Sequence, residues 1–199
     1  MSAASPGNPC LASEYRHAAS PGLYVNTGYD PSYTDTNHTT ASCKSQSLAL
    51  TVGTDAQKAA WAVGCSEAQG DYGYTTSQGI TSAQAWWLDV ETINSWCSPT
   101  GPNCTDLSLN QYTIQGLIDT FTNIGAVPVG IYSNNYSWTT IMGTPNFHPT
   151  GATMDWYASP TTTAQTAKAY CNNIYSFSGA PVTIVQFQPD PSTDRDYAC

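Results

Sequence analysis

Basic residues are scarce in this chain. Five Lys and Arg residues face 14 Asp and Glu residues among 199, which gives a net charge of −9 at pH 7. A surface of this sign repels the phosphate backbone of nucleic acids, and no basic cluster is present to attract an anionic membrane. No apolar run is long enough to span a bilayer. We therefore expect neither nucleic acid nor an inserted membrane among its partners.

The common cofactor and nucleophile motifs are also missing from the sequence. It contains no Gly-x-Gly-x-x-Gly or Gly-x-x-x-x-Gly-Lys loop for nucleotides, and no Gly-x-Ser-x-Gly turn for a serine nucleophile. No zinc-type cysteine spacing and no Asp-rich calcium loop occur. The three histidines lie near predicted turns, where we expect them to be solvated. We predict no metal and no cofactor. These histidines are His17, His38 and His148.

Seven cysteines favour an oxidising compartment. Cys97 and Cys104 enclose a turn-rich loop and are predicted to form a disulfide. Two further pairs are hypotheses, because the connectivity of disulfides does not follow from sequence alone. The odd number means that one thiol is free or that its partner lies outside the chain. The two hypothetical pairs are Cys43 with Cys65 and Cys171 with Cys199.

The first residues do not resemble an export signal. Met1–Pro6 has neither the basic start nor the apolar core of a signal peptide. A composition of the disulfide type nevertheless implies secretion. We therefore expect an extracellular protein whose signal peptide, together with an N-terminal part of the fold, is encoded upstream of Met1.

Strand-like and helix-like segments alternate along the chain, which predicts βαβ units and a parallel sheet. The length suits a single domain over residues 1–199. We expect a TIM-like (β/α) barrel, a fold of typically ~250 residues with eight strands, that lacks its first one or two strands here. Predicted strands cover 23–27, 86–91, 127–133, 153–158 and 181–188. Predicted helices cover 11–18, 56–70, 109–124, 136–142 and 162–175, and 31–54 is predicted to be an irregular loop.

The stretch Ala85–Thr92 carries the clearest candidate for chemistry. It is predicted to be a buried strand that ends in Asp89 and Glu91. Residues i and i+2 of a strand point to one face, about 7 Å apart at Cα. Two neighbouring carboxylates have split proton affinities, so one can remain protonated near neutral pH and serve as a general acid. The alternative is that both acids lie on an exposed rim or bind a metal or an Arg.

This strand resembles a family of glycoside hydrolases. Trp86-Trp87-Leu88-Asp89-Val90-Glu91-Thr92 is similar to the Asp-x-Glu strand of the family 25 glycoside hydrolases, the Chalaropsis-type lysozymes. Further segments resemble that family in the same order along the chain. A poorly characterised group of secreted bacterial proteins in that superfamily is more similar still, over Leu23–Thr27 and the ending Asp196–Cys199. The segments in matching order are Gly130–Ser133 with Trp138, Trp156–Ala158, Val185–Phe187 and Asp194–Asp196.

The resemblance implies both a fold and an activity. It implies an eight-stranded barrel that hydrolyses the β-1,4 bond between N-acetylmuramic acid and N-acetylglucosamine in peptidoglycan. Glu91 would be the general acid, and Asp89 the companion carboxylate that tunes it or orients the substrate. Asp194 would correspond to the acid near the last strand. The family also has an Asp on its first strand, and this chain has no matching residue.

Three further residues are candidates for binding the glycan: Tyr132, Trp156 and Gln186. Core or rim packing is the alternative for each of them. Trp87 is expected in the core below the acid pair, and Asp155 is expected to be structural. Two other functions stay open, namely a non-catalytic glycan-binding module and an inactive, incomplete barrel. We expect a monomer whose partner is a polysaccharide.

Overall fold

Six strands form one curled sheet, a half-barrel, in the computed structural model, which describes residues 7–102 and 104–199. The strands lie in chain order across the sheet. The first five are parallel to one another, and the sixth is antiparallel to the fifth. The strands are β1 (Leu23–Asn26), β2 (Trp86–Asp89), β3 (Val129–Ser133), β4 (Ala152–Ala158), β5 (Val182–Asp190) and β6 (Thr193–Ala198).

Helices fill the connections between the parallel strands. The longest, between β1 and β2, begins with a capping box in which Thr54 and Gln57 bond each other's backbone. The α-helices are α1 (Leu11–His17), α2 (Ala41–Leu48), α3 (Asp55–Ser77), α4 (Ser108–Asn123), α5 (Asn135–Met142) and α6 (Ala164–Ala167). Short 3-10 turns cover Pro31–Thr34, Lys168–Tyr170 and Asn173–Tyr175.

The predicted parallel α/β sheet is confirmed, and all five predicted strands are present. Two local predictions were wrong. The loop predicted over 31–54 contains α2, and the helix predicted over 162–175 is reduced to α6 and two 3-10 turns. In addition, the acidic C-terminal tail, for which no strand was predicted, forms β6. Across the described part of the chain the sheet does not close, because β1 and β6 are its two edges. The structure is therefore a half-barrel, and the predicted TIM-like barrel lacking its first one or two strands is not confirmed.

The hydrophobic core lies between the sheet and the helices. Trp86 and Leu88 of β2 point into it, and the Trp86 ring lies 4.6 Å from that of Phe121 on α4. Helices α3 and α4 cross closely because glycines face each other's backbone. A Cβ on Gly64 would lie 2.0 Å from the backbone oxygen of Thr113, so any larger residue at this position would force the two helices apart. This packing supports the convex face of the sheet and leaves its concave face open.

Three disulfides are present, and they are the three pairs anticipated from the sequence. One joins α2 to α3, one closes the loop that follows β2, and one ties the end of β6 to the segment after α6. Cys10 is exposed and carries the remaining thiol. Disulfides of this number are typical of proteins from oxidising compartments. None of the described helices is both long and apolar enough to cross a membrane.

The carboxyl group of Asp71 lies in a cleft of about 510 Å³ beside β1. Its Oδ2 is buried and has no hydrogen-bond partner among the described residues. Burial raises the pKa of Asp71 to about 7. Because the pKa in the folded state exceeds that of the unfolded chain, this group lowers stability as the pH rises from about 4 to about 7.

Replacing Asp71 by Asn should therefore stabilise the protein at alkaline pH but not at acidic pH. We expect the substitution to raise the free energy of unfolding by about 1–3 kcal/mol more at pH 8 than at pH 4. Urea denaturation of both proteins at the two pH values measures the difference. An equal change at pH 4 and pH 8 would contradict this reading, since it would show that the charge of Asp71 is not the cause.

Candidate active site

The concave face of the half-barrel brings together side chains from neighbouring strands. Residues in register on adjacent parallel strands point to the same side. Asp89 is in register with Tyr132, and Tyr132 is in register with Trp156. Gln186 of β5 is in register with Asp196 of β6. One face therefore holds side chains from five of the six strands.

Asp89 is the deepest acid of the site. Its side chain is 4% exposed, and its Oδ2 accepts a hydrogen bond of 3.2 Å from the Asn94 amide. Its Oδ1 is buried and meets no well-aligned donor in the described structure. The Thr27 hydroxyl donates to the backbone oxygen of Asp89 and so anchors the end of β2 to the residue after β1. The carboxylate is thus held at Oδ2, while Oδ1 has no well-aligned donor among the described residues.

Glu91 lies two residues further along and is only partly buried. The pKa of Glu91 is raised to about 7, mainly by burial, with smaller contributions from the charge of Asp89, a hydrogen bond with Asp89 and the charge of Asp194. Burial also raises the pKa of Asp89, against hydrogen bonds with Tyr24, Asn94 and Glu91 that lower it. The two carboxyl groups titrate as a pair. Near neutral pH the pair retains a proton, which Glu91 is placed to carry.

Aromatic rings form a wall beside the acid pair. The ring centre of Trp156 lies 5.0 Å from that of Tyr132, 5.5 Å from that of Trp87 and 6.1 Å from that of Tyr24, all edge to face. Burial raises the pKa of Tyr24 and of Tyr132, with further contributions from the nearby acids. Both hydroxyls therefore remain protonated and can donate hydrogen bonds.

Two more acids lie at the β6 side of this wall. The Trp156 indole N–H donates to Asp196 Oδ1 at 3.0 Å, and the Gln188 amide donates to Asp194 Oδ1 at 3.3 Å. Burial raises the pKa of Asp196, and the charge of Asp194 acts in the same direction. The Tyr132 hydroxyl donates to Gln186 Oε1 at 2.6 Å, which links β3 to β5 across this face.

Sequence reasoning missed three residues of this site: Tyr24, Asn94 and Gln188. The alternation in β1 was a usable signal for the first, since Leu23 and Val25 are buried apolar residues and Tyr24 between them points to the other side. No pattern in the sequence indicated that Asn94 would bond Asp89. Asp196, which was named only as the end of the matching segment Asp194–Asp196, also lies within the site.

Trp87 of β2 lies in the core, as predicted. Trp87 is 6% exposed and packs against Trp156 on the concave side, over Gly130, where a Cβ would lie 2.3 Å from its ring. Trp86 points to the helices. Asp155 lies on the opposite face from Trp156 and bonds the backbone of Phe177, a structural contact.

No metal or cofactor site can be assigned to this face. Within residues 7–102 and 104–199 no group of three or more His, Cys, Asp or Glu side chains has the arrangement of a metal centre. The carboxylates are spread across the wall of rings rather than converging on one point. Chemically, Glu91 can donate a proton, and the carboxylates can accept hydrogen bonds from a polar ligand. The aromatic rings can pack against the same ligand.

A family model described as Lysozyme-like protein 1, or Lys-1, matches residues 8–180. The chain belongs to this lysozyme-like family. The match supports a lysozyme-like protein in general and does not specify glycoside hydrolase family 25. No curated protein and no solved structure gives a significant match.

The region matched by the Lysozyme-like protein 1 family contains only part of the site. It includes Asp89, Glu91, Tyr132 and Trp156. It ends before β5, so the residues contributed by β5 and β6 lie beyond it. The acid pair and the aromatic wall therefore lie inside the matched region, and the acids of β6 lie outside it.

Proposed function

We propose that this protein is a secreted glycoside hydrolase of bacterial-type cell-wall glycan. The bond it would cleave is the β-1,4 linkage between amino sugars of peptidoglycan or a related polysaccharide. The observation that carries the proposal is the Asp89–Glu91 pair, with the pKa of Glu91 raised to about 7, beside a wall of aromatic rings in a lysozyme-like family. Three disulfides agree with secretion.

Glu91 acts as the general acid in this mechanism. It is protonated near neutral pH and donates its proton to the glycosidic oxygen as the bond to the leaving sugar breaks. Asp89 stays ionised, keeps the proton affinity of Glu91 high and stabilises the positive charge that develops on the sugar ring. Water completes the hydrolysis at the anomeric carbon. Asp194, which faces the pair from β6, is a third carboxylate near the reacting centre.

The glycan is held by the neutral groups around the acids. Sugar rings have apolar faces that pack on aromatic rings, a contact that Trp156 and Tyr24 offer on the open side of the wall. The hydroxyl of Tyr132 and the amide of Gln186, which already bond each other, supply donors and acceptors for sugar hydroxyls. The site needs no cofactor for this chemistry.

Digestion of purified cell walls tests the proposal. The full chain should release soluble fragments with new reducing ends, and mass spectrometry of those ends should identify the bond that was cleaved. If reducing ends do not increase above the level of a heat-inactivated sample, the proposed hydrolysis is wrong.

A glycan-binding module without turnover is the second candidate. The feature that favours it is the open sheet, because the edge of β1 leaves one side of the concave face uncovered in the described residues. Such a module would use the aromatic wall and would not depend on the proton of Glu91. Binding to cell walls that is unchanged by Glu91→Gln, without release of reducing ends, would support this alternative.

Hydrolysis should decline as the pH rises through about 7, because Glu91 then loses its proton. Replacing Asp89 by Asn removes a nearby negative charge that raises the pKa of Glu91. We therefore expect the alkaline limb of the kcat/KM profile to move to lower pH by roughly one unit, with activity reduced about 100-fold. Burial remains the larger cause of the raised pKa of Glu91. The alkaline limb should therefore stay above the pH at which an ordinary Glu loses its proton.

The pH dependence of kcat/KM for the wild-type protein and for Asp89→Asn measures this shift. Asp190→Asn is a matched control, since Asp190 is the exposed last residue of β5 and its side chain accepts hydrogen bonds from Ser192 in the turn that leads to β6. Its profile should coincide with that of the wild-type protein. An alkaline limb that stays in place when Asp89 is replaced would mean that Glu91 is not the group titrating.

A further inference from the structure

The concave face carries four acids, and the described chain places no Lys or Arg on it. Asp89 and Glu91 come from β2 and the residues after it, and Asp194 and Asp196 come from β6. Arg195 lies between the last two but is in register with the buried Phe187, so it points to the other side of the sheet. The remaining four cations lie on helical segments: Arg16, Lys44, Lys58 and Lys168.

The acids of this face are not neutralised within the protein. Among the described residues the one ion pair joins His38 and Asp35, which lie outside the sheet. In the described part of the chain, the hydrogen bonds that Asp194 and Asp196 accept come from neutral groups, the amide of Gln188 and the indole of Trp156. The face therefore has a negative potential even though the acid pair retains one proton near neutral pH, and this potential favours some ligands over others.

A ligand with free carboxylates is repelled by such a face, whereas one with ammonium groups is attracted. An ammonium group donates three hydrogen bonds, and carboxylates are its natural acceptors. Asp194 and Asp196 are two residues apart on one strand, so both point to the same side at the edge of the sheet, where a chain of sugars can pass. The Trp156 ring beside them can also favour a cation.

We propose that this site selects glycan strands with free amino groups, that is, de-N-acetylated amino sugars, over fully N-acetylated strands. This inference rests on the proposed glycan hydrolysis and names the substrate class for it. Asp194 and Asp196 bind the ammonium group of a sugar whose ring lies along Trp156. The acid pair of β2 is then free to act on the adjoining glycosidic bond.

Paired substrates test this selection. N-acetylated and de-N-acetylated oligomers of glucosamine form one pair, and peptidoglycan before and after chemical de-N-acetylation forms the other. We expect kcat/KM to be about three- to tenfold higher for the amino form at low salt, the range that a few partly exposed ion pairs supply. The preference should decrease as the ionic strength rises. The pair that is cleaved faster identifies the source of the glycan.

Variants separate the role of β6 from general effects. Asp194→Asn with Asp196→Asn should bring the ratio of the two kcat/KM values close to one, while the control Asp190→Asn should keep the wild-type ratio. If the double variant does not fold, the salt dependence of the wild-type ratio still tests the inference. A ratio at or below one in wild-type protein, or one that does not change with salt, overturns it.

Binding measurements distinguish failure of this inference from failure of the proposed function. The affinity of Glu91→Gln for the two oligomers can be measured by calorimetry without turnover, and the amino form should bind about three- to tenfold more tightly. Absence of hydrolysis with every substrate refutes the proposed function alone, because this binding preference can still be observed. Hydrolysis without any preference for the amino form refutes the selection alone.

Discussion

Replacing Glu91 by Gln is expected to reduce glycan hydrolysis by about 1,000-fold, the contribution of a well-placed general acid. Gln has the shape of Glu and can still hydrogen-bond Asp89, but it cannot give a proton to the glycosidic oxygen. Reducing-end release from purified cell walls, measured at pH 5–6 where Glu91 carries its proton, gives the ratio of rates.

The same substitution should not harm the fold. The pKa of Glu91 is raised to about 7 in the folded protein, so its charged form is disfavoured there. The group therefore lowers stability as the pH rises from the pKa of the unfolded chain towards 7, and Gln removes that effect. Thermal unfolding should show a variant as stable as the wild-type protein at pH 4 and at least as stable at pH 8.

An exposed acid away from the concave face is the matched control for Glu91. Glu14 on α1 accepts a hydrogen bond from Asn8 in the N-terminal segment. Glu14→Gln removes one charge by the same chemical change and should retain wild-type activity. If Glu91→Gln keeps more than about a tenth of the wild-type rate, another group must supply the proton.

Replacing Asp155 by Ala is expected to cost about 3–5 kcal/mol of stability, a large part of what a domain of this size has. Asp155 is completely buried on the convex face of β4. Its Oδ2 accepts hydrogen bonds from the backbone N–H groups of Phe177 and Ser178, at 2.9 and 3.2 Å, and its Oδ1 accepts one from the Ser178 hydroxyl. Alanine would leave two buried N–H groups without an acceptor.

Urea denaturation measures this loss, and Ser178→Ala provides the comparison. That variant removes one hydroxyl donor and leaves both backbone bonds to Asp155, so it should cost about 1 kcal/mol. Because Asp155 precedes Trp156 in β4, its loss should also weaken glycan binding through the aromatic wall. Equal stability losses in the two variants would show that the backbone bonds contribute little.

The acid pair could be found from the sequence because two local rules were sufficient. An apolar run predicted β2, and the period of two in a strand placed Asp89 and Glu91 on one face together with Trp87. Neither rule depends on which strands become neighbours. The same local reasoning failed over 162–175, where the Ala-rich pattern predicted one helix. The structure has a short helix followed by two 3-10 turns, and the disulfide from Cys171 to Cys199 lies in this segment.

The acidic tail shows where local reasoning ends. Asp194 and Asp196 could be predicted as acids near the last parallel strand, but their pairing with β5 could not. An antiparallel edge strand is set by long-range hydrogen bonds, such as the one from the Cys199 N–H to the Thr183 oxygen. That pairing places Asp196 against the indole of Trp156, from 40 residues away in the chain.

The sequence by itself determined the α/β class, the acid pair at the end of β2 and the opposite faces of Trp86 and Trp87, because each depends on periodicity within a single segment. Only the tertiary structure decided that the sheet is a half-barrel whose concave face joins the pair to Tyr24 and to the acids of β6. Strand order and register decide this, and they depend on contacts between distant segments. The raised pKa of Glu91 has the same origin, since burial by those neighbours is its main cause.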